Sequence, residues 1–92
     1  MSDVTIRRRL VVHGRVQGVF FRDSIRETAG NEGVSGWASN RDDGAVEVVL
    51  EGAPAAVQAV GEFCRLGPVH AHVEHVEESD EPPEGLQGFE IR

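Results

Sequence analysis

Apolar residues recur with short, regular periods along the chain, and the period changes at glycines. Residues 6–13 (Ile-Arg-Arg-Arg-Leu-Val-Val-His) read as a strand that ends at Gly14, followed by a glycine-flanked loop, Gly14–Gly18. From Phe21 to about Glu32 the period lengthens. Phe21, Ile25 and Ala29 recur every fourth residue, which puts them on one face of a helix, and Gly33 is the expected stop. Arg22 and Arg26 share an adjacent face, as do Asp23 and Glu27. Residues 34–40 predict a second strand and Arg41-Asp42-Asp43-Gly44 a hairpin turn. Residues 45–51 predict a third strand, with Val46, Val48 and Leu50 on one face and Glu47 and Glu51 on the other. Gly52-Ala53-Pro54 opens a second helix with Pro54 near its first turn; Val57, Val60, Gly61 and Cys64 form its inner stripe, and Gly67-Pro68 ends it. Residues 69–77 predict a fourth strand. Val69, Ala71 and Val73 alternate there, but Val76 has the opposite parity, so a bulge near His75 is expected. Residues 79–87, rich in Asp, Glu, Pro and Gly, predict an exposed loop, and Phe89 and Ile91 a short last strand.

This order predicts an α+β fold, the ferredoxin-like βαββαβ sandwich, with an antiparallel sheet, two helices on one face and a short extra C-terminal strand. The first and third strands should be central, with the second next to the third. Ninety-two residues without an internal repeat or linker predict one domain over 1–92. No apolar run reaches 18 residues, so no membrane span is expected. Leu10–Val12, after Arg7–Arg9, is too short for the apolar part of a signal peptide. A cytoplasmic monomer is the expectation. Cys64 is the only cysteine, which excludes an internal disulfide and a cysteine-based metal cluster; an inert, partly buried thiol is expected.

The net charge of −7 is unevenly spread. Residues 1–41 hold seven Arg against four acids, a balance of +3, whereas residues 42–92 hold two Arg against twelve acids, a balance of −10. An acidic chain is a poor general binder of nucleic acid, but the positive first half can still steer a small anion. Every basic residue is Arg.

Two segments carry candidate chemistry. In Gly14-Arg15-Val16-Gln17-Gly18-Val19-Phe20-Phe21-Arg22, a glycine-bounded loop leads from a strand into a helix. Such a loop can turn several backbone N–H groups into a concave nest, and the helix N-terminus adds its positive dipole end. Arg22, in the first turn, can bind two oxygens of a tetrahedral phosphate. The same loop can also be a mere connection. The second segment is Gly36-Trp37-Ala38-Ser39-Asn40-Arg41-Asp42-Asp43-Gly44-Ala45-Val46, followed by Gly52. Taken alone, Asn40 is a turn residue. His70 and His72 alternate on the predicted fourth strand as a solvated face, His13 is expected to pack beside the loop, and Glu77–Glu81 is expected to be a solvated loop.

Together, Gly14-x-Val16-Gln17-Gly18-Val19-x-Phe21-Arg22 and Gly36-Trp37-Ala38-x-Asn40-x-x-x-Gly44-x-Val46-x-x-x-x-x-Gly52 resemble the two signatures of the acylphosphatase family. Ser39 departs from the longer residue common there and should point away from the site. The resemblance covers essentially the whole chain. It implies a hydrolase that cleaves the carboxyl–phosphate bond of small-molecule acyl phosphates by water attack on phosphorus. Arg22 would bind the phosphoryl group, with the backbone amides of Arg15, Val16, Gln17, Gly18, Val19 and Phe20 around it, and Asn40 would orient the water. No cofactor and no metal are implied; inorganic phosphate would be product and competitive inhibitor, and neither nucleic acid nor membrane a partner.

Three other readings meet specific obstacles. An RNA-recognition domain shares the element order, but residues 45–51 carry two Glu and no aromatic. A ferredoxin-like metal carrier would need a Cys pair. A ligand-sensing domain that has lost catalysis need not keep both Arg22 and Asn40.

Overall fold

The computed structural model describes residues 4–92. The elements are β1 (Ile6–Arg15), α1 (Phe21–Glu32), β2 (Ser35–Asn40), β3 (Val46–Gly52), α2 (Pro54–Leu66), β4 (His72–Glu81) and β5 (Phe89–Ile91). They form one five-stranded sheet in the order β4-β1-β3-β2-β5. The β1–β3, β1–β4 and β2–β3 pairs are antiparallel, as expected. β5 departs from the all-antiparallel expectation: it pairs parallel with β2, so the sheet is mixed.

Both helices bury the stripes that their periodicity predicts. In α1 these are Phe21, Ile25 and Ala29; in α2 they are Val57, Val60, Gly61 and Cys64. Gly33 ends α1, its N–H turned back to the carbonyls of Ala29 and Gly30. The stripes meet Leu10, Val12, Val46, Val48 and Leu50 of the central strands in a single core. Cys64 is fully buried, and burial pushes its thiol up to about 12, so it is a packing residue rather than a nucleophile.

β1 runs two residues beyond its expected end, and β4 is displaced. Val69 is 90% exposed and outside the core, while β4 starts at His72 and continues through the acidic run to Glu81. The expected solvated loop at Glu77–Glu81 is therefore a strand. Arg7, Arg8 and Arg9 lie opposite Glu81, Asp80 and Ser79, and ion pairs replace the apolar contacts that would ordinarily mark a strand. Arg8 pairs with Asp80 at 3.2 Å, Arg9 with Glu81 at 2.6 Å, and Arg65 of α2 with Glu78. The expected bulge is present. His13 pairs with His75 and Gly14 with Val73, so Glu74 is the extra residue. Val73 and Val76 both reach the core as a result. Gly14 is required at this point, since a Cβ there would stand 2.1 Å from the carbonyl oxygen of His72.

On the sheet face opposite the helices, Arg7 and Glu51 are almost fully buried and bonded at 2.8 Å. Arg7 also donates to Glu81 at 2.9 Å. Glu51 accepts the backbone N–H groups of Glu84, Gly85 and Leu86 at 2.9–3.0 Å, so the expected loop is pinned to the sheet although its side chains are mostly exposed. Burial alone would raise the Glu51 carboxyl; Arg7 and the three amides outweigh it and hold it below the usual range. Bonds from Arg9 and Arg7 lower Glu81 to about 2. Both carboxylates thus titrate lower in the folded than in the unfolded chain. Their stabilisation is complete above the ordinary glutamate value of about 4.3 and is lost as pH falls towards about 2. Arg7→Met leaves Glu51 as a buried charge without its ion partner. The expected cost is about 3–5 kcal/mol, with acid unfolding beginning at higher pH than in the parent, as measured by urea titration across that window. An unchanged acid limb would remove Arg7 from this role.

Candidate active site

The loop from β1 to α1 is shaped by two residues in the left-handed region, Gly18 (φ 75°) and Phe20 (φ 61°, ψ 28°). For a bulky residue this conformation costs on the order of 1–3 kcal/mol, and such strain tends to gather at functional sites. The Phe20 ring is 77% exposed, so core packing does not compensate for it. Phe20 is also the N-cap of α1, a position where Ser, Thr, Asp or Asn would ordinarily satisfy the first amides, and no side chain caps the helix. None of the backbone N–H groups of residues 16–20 donates to a protein acceptor among the described residues. A run of unpaired amides opening onto a helix N-terminus is an anion-binding arrangement.

An open pocket of about 320 Å³ lies here, lined by Val16, Gly18, Phe20, Phe21, Arg22, Asp23, Asn40 and Ile91. It brings together Arg22 from the first turn of α1 and Asn40 from the end of β2. Arg22 donates through Nη1 to the carbonyl oxygen of Arg92 at 2.8 Å, which fixes one side of the guanidinium. Arg22 and Arg15 make no ion pair among the described residues, whereas the other seven arginines do. In so acidic a chain, an arginine in a pocket with no Asp or Glu side chain paired to it stands out as a candidate for holding an anion. The nearby Asp23 is paired with Arg26 at 3.2 Å.

Not every residue of the expected cradle lines this pocket. Val16, Gly18, Phe20 and Arg22 do; Arg15, Gln17 and Val19 do not. Arg15 ends β1 opposite His72, and Val19 packs against the core. The Gln17 side chain turns to the hairpin instead. Its Nε2 donates to the carbonyl oxygens of Arg41 at 2.8 Å and Ala45 at 3.0 Å. The hairpin is closed by Arg41 N–H to Ala45 O at 2.8 Å and by Ala45 N–H to Asp43 Oδ1 at 3.1 Å. That last bond, with Arg41 beside it, holds the Asp43 carboxyl below its ordinary value. Gln17 thus ties the cradle to the turn that carries Asn40, a role that sequence reading missed. Ile91 was missed as well; the parallel pairing of β5 with β2 brings it to the pocket. Ser39 lies outside the pocket, as expected. His70 lies outside β4, so the expected alternation of His70 and His72 along one strand does not exist.

A ferredoxin-like sandwich that gathers unpaired amides, a guanidinium and a carboxamide at one edge defines a small α+β protein with a candidate anion site. A family model for acylphosphatases matches residues 8–91. An acylphosphatase of Rubrobacter xylanophilus is 55% identical over 89 residues, covering 96% of this chain and 81% of the relative. One from Haloarcula marismortui is 51% identical over 86 residues, 94% of each chain. The solved structure of an acylphosphatase from Coxiella burnetii superposes with a TM-score of 0.91 at 33% identity, covering 96% of this chain and 93% of that one. The chain belongs to the acylphosphatase family. Among the described residues, no helix is long and apolar enough to cross a membrane.

Proposed function

We propose that the chain hydrolyses the carboxyl–phosphate bond of small-molecule acyl phosphates to carboxylate and inorganic phosphate, by direct attack of water on phosphorus. The observation that supports this reading is Arg22, with no Asp or Glu partner, beside the unpaired amides of residues 16–20, in the pocket that also contains Asn40. In-line attack loads charge onto the equatorial phosphoryl oxygens, and preorganised donors stabilise that charge. Arg22 grips two of those oxygens, and the backbone amides of Arg15, Val16, Gln17, Gly18, Val19 and Phe20 take the remainder. The Asn40 carboxamide orients the water. The leaving group is a carboxylate, so no strong acid is needed, and the phosphoryl oxygens themselves accept the water's proton. The chain works as a cytoplasmic monomer without a cofactor or a catalytic metal.

The test is hydrolysis of an aryl acyl phosphate followed by ultraviolet absorbance, in buffer containing EDTA. Steady turnover is expected, with inorganic phosphate competing against substrates of different acyl groups, because the cradle recognises the tetrahedral anion. Activity that disappears with EDTA and returns with a divalent ion would overturn the metal-free reaction. Inhibition that is not competitive would move the anion site elsewhere.

A further inference from the structure

The open face of the sheet carries a second group of chemically capable side chains, none of which lines the pocket. His13 of β1 and His75 of β4 are directly opposite in the register, just before the bulge at Glu74. Their rings stack with centroids 4.2 Å apart and planes 10° from parallel. Glu77, two residues further along β4, points to the same side, and its Oε2 lies 2.5 Å from His13 Nε2. One ligand atom from each of the three residues lies within 4.8 Å of the others, and among the described residues no other trio does so.

We propose that His13, His75 and Glu77 bind one divalent cation of borderline softness, of the zinc type, at a site separate from the hydrolytic pocket. Two imidazole nitrogens and one carboxylate oxygen are a donor set that suits zinc better than magnesium or calcium, which favour all-oxygen shells. Ligand bonds of about 2.0–2.2 Å require the donors of a tetrahedral site to stand about 3.4 Å apart. Side-chain rotation reaches that spacing, because His75 is exposed and the Glu77 side chain is 65% exposed. The backbone beneath does not need to move: the bulge and the arginine ladder fix the β1–β4 register. The cation takes its place between His13 and Glu77, and solvent fills the remaining position. Cys64 offers no rival site, being wholly buried.

The experiment is calorimetric titration of zinc chloride into the full chain after removal of trace metal. One equivalent should bind. His75→Ala and Glu77→Gln should each weaken binding at least tenfold, a direct ligand counting for no less than the outer partners whose loss costs about 10–100-fold. A His70→Ala/His72→Ala double variant should bind like the parent. Imidazole proton signals of His13 and His75 should shift together with the same saturation point. No one-to-one binding, or binding unaffected by His75→Ala and Glu77→Gln, overturns the site; loss in the His70/His72 variant reassigns the ion and overturns it too.

Discussion

Arg22→Ala is expected to abolish turnover and to weaken the binding of inorganic phosphate while the fold survives. The guanidinium faces charge that exists in both the bound substrate and the transition state, so both affinity and rate should fall. Removing one neutral positioned donor costs about 10²–10³ in rate, and charge-assisted bonds are roughly twice as strong, so the loss in kcat/KM should exceed about 10³. Arg22→Lys should recover little, because an ammonium is a point charge and cannot grip two oxygens as a fork does. The fold should tolerate both changes. Arg22 is only partly buried, and its one described hydrogen bond is to the carbonyl of Arg92. Steady-state kinetics and phosphate titration, with circular dichroism as a folding control, supply the measurement. A folded Arg22→Ala that binds phosphate as tightly as the parent would show that the cradle lies elsewhere.

Asn40→Ala should give a different pattern. Its carboxamide is assigned to the water rather than to the phosphoryl group, so phosphate affinity should stay close to that of the parent. The loss should fall on kcat, by about 10²–10³ or roughly 3–4 kcal/mol, as for an interaction made only on the way to the transition state. The β2–β3 pairing of Asn40 with Val46 uses the backbone and does not depend on the side chain. A folded variant with near-normal kcat would sink the water-orienting role. A large fall in phosphate affinity at unchanged kcat would instead assign Asn40 to the ground-state anion.

The helices were legible because their buried faces obey one period with no charged interruption, from Phe21 to Ala29 and from Val57 to Cys64. That Arg22 and Asn40 share one pocket was legible only jointly: each is ordinary alone, and the two spaced signatures single them out. β4 was misread in its limits because it is an edge strand held by charge. Glu78, Asp80 and Glu81 carry no apolar signal, and their partners Arg7, Arg8 and Arg9 lie at the other end of the chain. The brace made by Gln17 was invisible for a similar reason. A carboxamide that spans two loops leaves no periodic trace, and its acceptors are backbone carbonyls that any residue supplies. The direction of β5 is likewise a tertiary choice, since Phe89 and Ile91 would alternate equally well in either sense.

The pairing of the first strand with the fourth has a kinetic meaning. Arg7 meets Glu81 across 74 residues. Arg22 meets Arg92 across 70, and Ile91 reaches the pocket beside it, so the pocket is completed by a remote part of the chain. Contacts of such high order are slow to form, because loop closure must be met before they stabilise anything. The pocket is therefore complete only once the C-terminal strand has docked. An anion that recognises it selects the completed native state and raises its population by mass action. On the proposed reaction, the phosphate that it releases would act as such a stabiliser, and resistance to unfolding would rise with phosphate concentration.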